Sequence, residues 1–403
     1  MKKKVNMKYL VAFVCYLVLN FSCLAQQEFS QTVQNWQQLI VNGSPIEWEN
    51  FWQERIKAKE IPLVIGDSVA FFYKGEAQSV AWAGDFSGWN PEDKRYQGVR
   101  IGSTPFWFCK AKFPVNARLD YKIVIDNKDW GIDAANPYQQ WSGAGGGQPN
   151  SELRMSGWQA EKWTFPQENI LKGTMTTYQF ESKNLYYRLK YSVYLPVGYE
   201  KLSKLPVIYV TDGHEYSDAR MGAVVTVLDN LIAANKIKPV IAVFIDPRQP
   251  DKLENNRRAD EFLGNEKYKD FVTQELIAHI DKTYKTQATA EARVIVGTSF
   301  WGFCATYFAL NAPNYFGNVV INSPAYWYDT DLLTKFLATP KLPIKKIFFS
   351  NGTISDGEKL SRLMQAILKE KKYNCRIVEV NEGHSWGNWR ALVDDWLLYL
   401  FGK

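Results

Sequence analysis

Ser299, His384 and Asp356 are the residues whose types and surroundings could do chemistry together. Ser299 lies in the run from Val294 to Phe303, where a β-branched stretch ends in Gly297 and the serine follows two residues later. A segment compatible with a helix, Phe303 to Leu310, comes next. Strand, sharp turn and helix are the parts that raise a serine hydroxyl on strained backbone. His384 lies in Asn381-Glu382-Gly383-His384-Ser385-Trp386-Gly387, and Asp356 closes Asn351-Gly352-Thr353-Ile354-Ser355-Asp356. An imidazole can take the serine proton, and a carboxylate can fix its tautomer and stabilise its charged form. Glu358 and Glu382 compete for the acid role. Asp356 is favoured because it ends a loop opened by Gly352, whereas Glu358 starts the following helix. Of the other two histidines, His279 reads as structural in mid-helix. His214 follows Asp212-Gly213 at a strand end, where a backbone N–H serves a developing oxyanion better than a ring does.

The elements that must position these residues are strands and helices in alternation from Thr174 on. Candidate strands are Leu189–Leu195, Val207–Thr211, Val240–Ile245, Val294–Val296, Val319–Asn322, Lys346–Ser350 and Arg376–Val380. Those from Val207 on are mostly short apolar runs, as expected where both sheet faces are covered. Helical stretches lie between them: Ala219–Asn235, Tyr268–Tyr284, Phe303–Leu310, Asp331–Leu337, Glu358–Lys369 and Trp389–Leu400. The result is a doubly covered, mostly parallel α/β sheet, in which ligands sit beyond the carboxyl ends of the strands. Ser299, Asp356 and His384 fall at three such ends, in the chain order used by α/β-hydrolases.

Ahead of this region the texture differs. Lys2, Lys3, Lys4 and Lys8, an apolar run from Tyr9 to Leu19 and small residues at Ser22 and Ala25 read as a secretory leader over residues 1–25. Cys23 raises a lipid-modified start, but Asn20 stands where such a signal carries an aliphatic residue, so plain export is preferred. Residues 26–66 form an N-terminal helical segment in which Ser44-Pro45-Ile46-Glu47 begins a helix to about Lys59. Its Trp48, Phe51, Trp52 and Ile56 share a packing face. Residues 67–157 carry short alternating strands: Val69–Tyr73, Ser79–Ala83, Phe106–Phe113, Tyr121–Asp126 and Glu152–Met155. Gly84 to Trp89, Tyr121 to Asp126, Trp130, Asp133, Asn136-Pro137 and Asn150-Ser151 follow in an order that resembles the glycogen-binding modules of carbohydrate-binding family 48. The resemblance implies an immunoglobulin-like β-sandwich. In it Trp89, Lys122, Trp130 and Asn150 match positions that touch sugar, although such modules in enzymes are often only structural. Residues 158–173 are a linker, and residues 174–403 are the α/β domain.

Composition narrows the function classes. The chain has 403 residues, enough for two domains and a leader. Residues 1–25 hold four lysines and no acid, so without them the formal net charge falls from +6 to +2. With no remaining basic cluster, neither nucleic acid nor an anionic membrane surface is an expected partner, and no membrane span is expected. Cys109, Cys304 and Cys375 are widely spaced and read as small hydrophobes, with one Cys304–Cys375 pairing left open. No metal site and no cofactor are expected, and the sequence does not give the oligomeric state.

Leu205 to Gly213, Arg258-Ala259-Asp260-Glu261-Phe262, Gln274 to Ile277, the Ser299 turn, Phe316 to Val319 with Ser323-Pro324-Ala325-Tyr326-Trp327, and Gly383-His384-Ser385-Trp386 with Trp389-Arg390 occur in that order. Over residues 175–403 this is similar to the putative-esterase family, which contains feruloyl and acetylxylan esterases of carbohydrate esterase family 1, enterochelin-type esterases and mycolyltransferases. The resemblance implies Ser299 as nucleophile, His384 as base, Asp356 as acid, and the Phe300 N–H with that of Gly213 or His214 as oxyanion donors. It implies an exported serine esterase acting on an ester substrate, with feruloyl or acetyl groups on plant polysaccharide expected first. A siderophore ester is the alternative, and a glycan-binding protein with a weak or inactive hydrolase domain is the other. Trp301 departs from the pattern, since the family nearly always has glycine there. An indole at that place is expected to push the helix aside or to swing into the pocket.

Overall fold

The computed structural model describes residues 7–143 and 148–403, with side chains from Cys23 onward. Of the expected leader, residues 1–25, residues 1–6 lie outside the described residues and residues 7–22 are described as backbone only. The chain forms two compact units, Met1–Gln140 with Pro149–Gln159, and Trp141–Gln148 with Ala160–Lys403.

In the first unit a helix runs from Met7 to Asn42, and Phe29, Val33, Trp36 and Ile40, three or four residues apart, bury one face of it. The second helix, Pro45–Ala58, starts as its sequence predicts. The Glu47 carboxylate accepts the Ser44 N–H at 2.7 Å and the Ser44 hydroxyl at 2.8 Å. Its Trp48, Phe51, Trp52 and Ile56 pack with the first helix's stripe and with Phe72 and Phe106. Two antiparallel sheets follow. One has the order Leu63–Ile65, Ser68–Lys74, Phe106–Lys112, Val99–Arg100; the other runs Val80–Gly84, Arg118–Ile125, Pro149–Arg154, Gln139–Trp141. Phe71 of the first meets Trp82 and Tyr121 of the second, ring centroids 5.8 and 5.2 Å apart, so the two apolar faces share an aromatic core. A tight turn at Asp126-Asn127, both with positive φ, adds the short strand Asp129–Gly131 to this second sheet. Asp and Asn tolerate that backbone, which suits the twist of paired strands.

The second unit is built on one eight-stranded sheet: β1 (Thr174–Ser182), β2 (Tyr187–Leu195), β3 (Val207–Val210), β4 (Ile241–Asp246), β5 (Arg293–Thr298), β6 (Asn318–Asn322), β7 (Lys346–Gly352) and β8 (Cys375–Val380). Their order across the sheet is β1-β2-β4-β3-β5-β6-β7-β8, antiparallel at β1/β2 and β2/β4 and parallel elsewhere. Alternate residues divide between two cores. Val207, Tyr209, Ile295, Val319 and Ile347 face the layer of Phe271, Phe308, Phe336 and Leu368. Ile208, Val210, Val294, Val296, Val320 and Phe348 face that of Val227, Leu231, Val393 and Trp396. A period of two with both faces apolar is why these strands read as continuous hydrophobic runs. The cysteines Cys109, Cys304 and Cys375 are free. Among the described residues no helix is long and apolar enough to cross a membrane.

Candidate active site

Ser299 follows β5 with φ 61° and ψ −121°, a backbone state that a non-glycine residue holds only when its surroundings enforce it. Three things enforce it. The Ser299 N–H donates to the Asn322 carbonyl at 3.0 Å at the end of β6, and the Ser299 carbonyl accepts from Ala325 at 2.9 Å and from Phe303 at 3.1 Å. Gly297 lies against the backbone of Trp301, where a Cβ would collide with the carbonyl, so the crossing of strand and helix requires glycine. The helix Phe300–Asn311 begins at once, three residues earlier than the apolar pattern suggests.

Trp301 corrects the expectation. Its indole does not line the pocket beside Ser299; it is fully buried in the core, with its ring against that of Phe262. The close approach to the next strand falls to Gly302, where a Cβ would lie 2.7 Å from the Asn322 carbonyl oxygen and 2.8 Å from the Pro324 Cα. A glycine one place later therefore does the packing that the usual spacing assigns to position 301.

The structure brings the three expected residues together. His384 Nε2 is 2.8 Å from Ser299 Oγ, and His384 Nδ1 is 2.5 Å from Asp356 Oδ1. Asp356 is buried, and its Oδ2 accepts the Ser323 hydroxyl at 2.6 Å and the Gly352 N–H. Glu358 instead begins the helix Glu358–Glu370, and its carboxylate accepts the Asp356 backbone N–H at 3.2 Å. The loop carrying His384 is held by Asn388, whose amide donates to the Gly383 carbonyl at 2.9 Å. The Trp389 ring stands edge-on to the imidazole, centroids 4.9 Å apart. With Nδ1 facing a carboxylate, Nε2 is free to accept the serine proton.

Gly213 and His214 open the short helix Gly213–Ser217 just past β3, the strand beside β5, so their N–H groups and that of Phe300 belong to neighbouring strand ends. Gly213 has to be small, because a Cβ would press into the backbone of Phe244 and Ile245. The His214 ring sits between Glu215 and Asp246, at 3.5 and 3.6 Å. Behind this turn lies a buried charge network built partly from the Arg258 to Phe262 motif. Arg258 pairs with Asp212 at 2.9 Å and lies 5.5 Å from the Phe300 ring, and Glu261 accepts from the Tyr187 hydroxyl at 2.7 Å. Burial, against the pull of Arg258 and with the charges of Glu215 and Asp246 adding to it, pushes the Asp212 carboxyl well above the usual range. Burial acts on Asp246 too, but the Arg248 hydrogen bonds and neighbouring cations outweigh it and hold that carboxyl at about 2. A cavity of about 90 Å³ adjoins Ser299 and His384, lined also by Asp212, Glu215, Arg258, Trp386 and Trp389. At its side Phe300 meets Trp327 and Tyr328, ring centroids 5.6 and 6.1 Å away, and both partners are more than half exposed.

The four residues expected to touch sugar are not equivalent. Trp130 is exposed on its hairpin strand, and Trp89 and Lys122 are half-buried. Asn150 is buried, and its amide donates to Asp120 at 3.0 Å. Among the described residues no group of three or more His, Cys, Asp or Glu side chains is arranged to hold a metal ion.

Residues 182–400 match the family described as Putative esterase. Uncharacterized protein YjcH of Bacillus subtilis is 27% identical over 232 residues, which cover 55% of this chain and 95% of that protein. An endo-1,4-beta-xylanase/feruloyl esterase of Xylanibacter ruminicola is 28% identical over 222 residues, 52% of this chain but only 29% of that protein's length. Among solved structures, the enterobactin esterase FES of Shigella flexneri, in the presence of enterobactin, superposes with a TM-score of 0.69 at 21% identity. It covers 83% of this chain and 92% of that one, which establishes a shared mixed α/β fold. More than half of the chain thus carries the family's sequence pattern on the fold of a known esterase, and the chain belongs to the putative esterase family.

Proposed function

We propose that the chain is an exported serine esterase that cleaves a carboxylic ester through an acyl-enzyme on Ser299, with an aromatic acyl group such as feruloyl on plant polysaccharide as the preferred substrate. The observation that carries this reading is the hydrogen-bonded run from Ser299 Oγ through His384 to Asp356, at 2.8 and 2.5 Å. As Oγ attacks the ester carbonyl, its proton passes to Nε2 and Asp356 stabilises the resulting imidazolium. The negative charge that develops on the carbonyl oxygen is taken up by the Phe300 N–H and by that of Gly213 or His214. The imidazolium then protonates the departing alkoxide, and a water activated by the same imidazole releases the acid. Fixed donors at strand ends suit this task because they need no rearrangement as charge appears.

Two features favour an aromatic acyl group over acetyl. Trp327 and Tyr328, 64% and 51% exposed, flank Phe300 next to the nucleophile, and an exposed aromatic cluster gains by covering a ring. The sequence relative named as a feruloyl esterase adds support. Against a catecholate trianion stands the lining beside Ser299, where the charge of Glu215 offsets the one arginine, Arg258. The test is a panel of p-nitrophenyl acetate, methyl ferulate and a catecholate ester. Methyl ferulate is expected to be the best substrate, and Trp327→Ala to lower its kcat/KM about tenfold while leaving acetate nearly unchanged. Equal losses on both esters would remove the aromatic preference. For export, protein from its native source is expected to begin at or near Gln26; an intact residue 1–25 segment on it would contradict this.

A further inference from the structure

We propose that Ser323 and Trp389 form a positioning relay that acts on the triad through Asp356, an inference that rests on the esterase reading above. Both come from motifs that the triad leaves without a role, Ser323-Pro324-Ala325-Tyr326-Trp327 and the Trp389-Arg390 pair after His384. Ser323 is buried in left-handed backbone with φ 42°, at the end of β6, and its N–H donates to the Ser350 carbonyl of β7 at 2.7 Å. That places its hydroxyl beside Asp356. The Trp389 indole N–H lies 2.8 Å from Ser323 Oγ, and Ser323 Oγ lies 2.6 Å from Asp356 Oδ2.

Chemistry fixes the direction of every bond in this chain. An indole N–H can only donate, so Ser323 Oγ accepts from Trp389 and its single proton goes to Asp356. The Gly352 N–H can likewise only donate, and it too reaches Oδ2. Oδ2 is thereby occupied by two donors, and Oδ1 is left for the imidazole. A carboxylate that must accept at Oδ1 selects the His384 tautomer with its proton on Nδ1, which leaves Nε2 as the acceptor for Ser299. Trp389 closes the arrangement from the other side, because the same ring that donates to Ser323 packs edge-on against His384. The strained Ser323 backbone fits this account: a residue is held there where neighbouring strands over-determine it.

The relay predicts a specific kinetic pattern. Ser323→Ala should lower kcat for a small ester about tenfold, the scale of one hydrogen bond to a charged group, with KM unchanged. With one donor gone from Oδ2, Oδ1 becomes the stronger acceptor and the imidazolium holds its proton more tightly. The acid limb of the kcat/KM profile should therefore move to higher pH by about half a unit or more. Trp389→Phe keeps a ring against His384 but removes the donor, and should shift both quantities in the same direction by less. Because Trp389 acts through Ser323, the double variant should be no slower than Ser323→Ala alone. The ionisable groups around the pair are Glu358, Glu382, and, across the cavity, Asp212, Glu215 and Arg258; neither substitution removes any of them. Wild-type kcat and an unmoved acid limb in Ser323→Ala, or losses that multiply in the double variant, would overturn the relay. Should Ser323→Ala fail to fold, the same two readouts on Trp389→Phe decide it. A wild type without esterase activity would instead sink the reading on which the relay rests.

Discussion

Ser299→Ala and His384→Ala are each expected to lower kcat/KM for a carboxylic ester by about 10⁴-fold or more, and the double variant is expected to be little worse than either single one. The reason is geometric. Ser299, Asp356 and His384 stand at the ends of β5, β7 and β8, brought to one place by parallel strands whose sequences lie far apart, and the hydrogen bonds join them into one unit. Removing one member of a unit removes its function, so losses do not add. Asp356→Asn should cost less, about 10²–10⁴-fold, because an amide can still touch Nδ1 but no longer enforces the tautomer or stabilises the imidazolium. Steady-state kinetics on purified variants, with near-UV circular dichroism to establish folding, checks the set. Losses in the single variants that multiply in the double variant would mean that the residues do not work as one unit.

Trp301→Gly is expected to destabilise the protein severely and to give no gain in rate. An indole lodged in the helix at the serine turn invites the opposite expectation, that trimming it would relieve the active site. Its burial against Phe262 reverses the sign. Deleting a buried tryptophan side chain costs about 3–5 kcal/mol through lost burial and an unfilled cavity, and a glycine in a helix adds about 1 kcal/mol. A loss of that size is a large part of a domain's whole stability, and corresponds to a fall in Tm of roughly 10 °C or more. Thermal unfolding monitored by circular dichroism measures it. A variant that melts near the wild-type temperature and turns over faster would restore the crowded-turn view.

Much of the site was legible because strand-end chemistry leaves a local trace. A β-branched run, a glycine and a serine two residues on predict the strained turn, and Gly352 with Asp356 predicts the acid loop. The destination of a side chain is not local. Nothing near Trp301 in sequence tells that Phe262 will receive its ring, or that Gly302 will take over the close contact. Asn150 matched a sugar-binding position, but its neighbour Asp120 takes the amide in the folded sheet. The strand β1, Thr174–Ser182, is exposed along nearly its whole length, so it lacks the alternation that marks a half-buried strand. The stripe of Phe29, Val33, Trp36 and Ile40 is a helical pattern, but it lies directly behind an apolar run that reads as a leader.

The most direct test of the central claim is covalent. A serine-directed phosphonate ester mimics the attacked carbonyl and reacts only with a serine whose proton is being removed by a neighbouring base. Incubated with the wild-type protein and followed by intact-mass and peptide mass spectrometry, it is expected to add one group per chain, on Ser299, with parallel loss of ester hydrolysis. The His384→Ala protein is expected to stay unlabelled. Labelling elsewhere, or equal labelling of Ser299 in His384→Ala, would contradict the account.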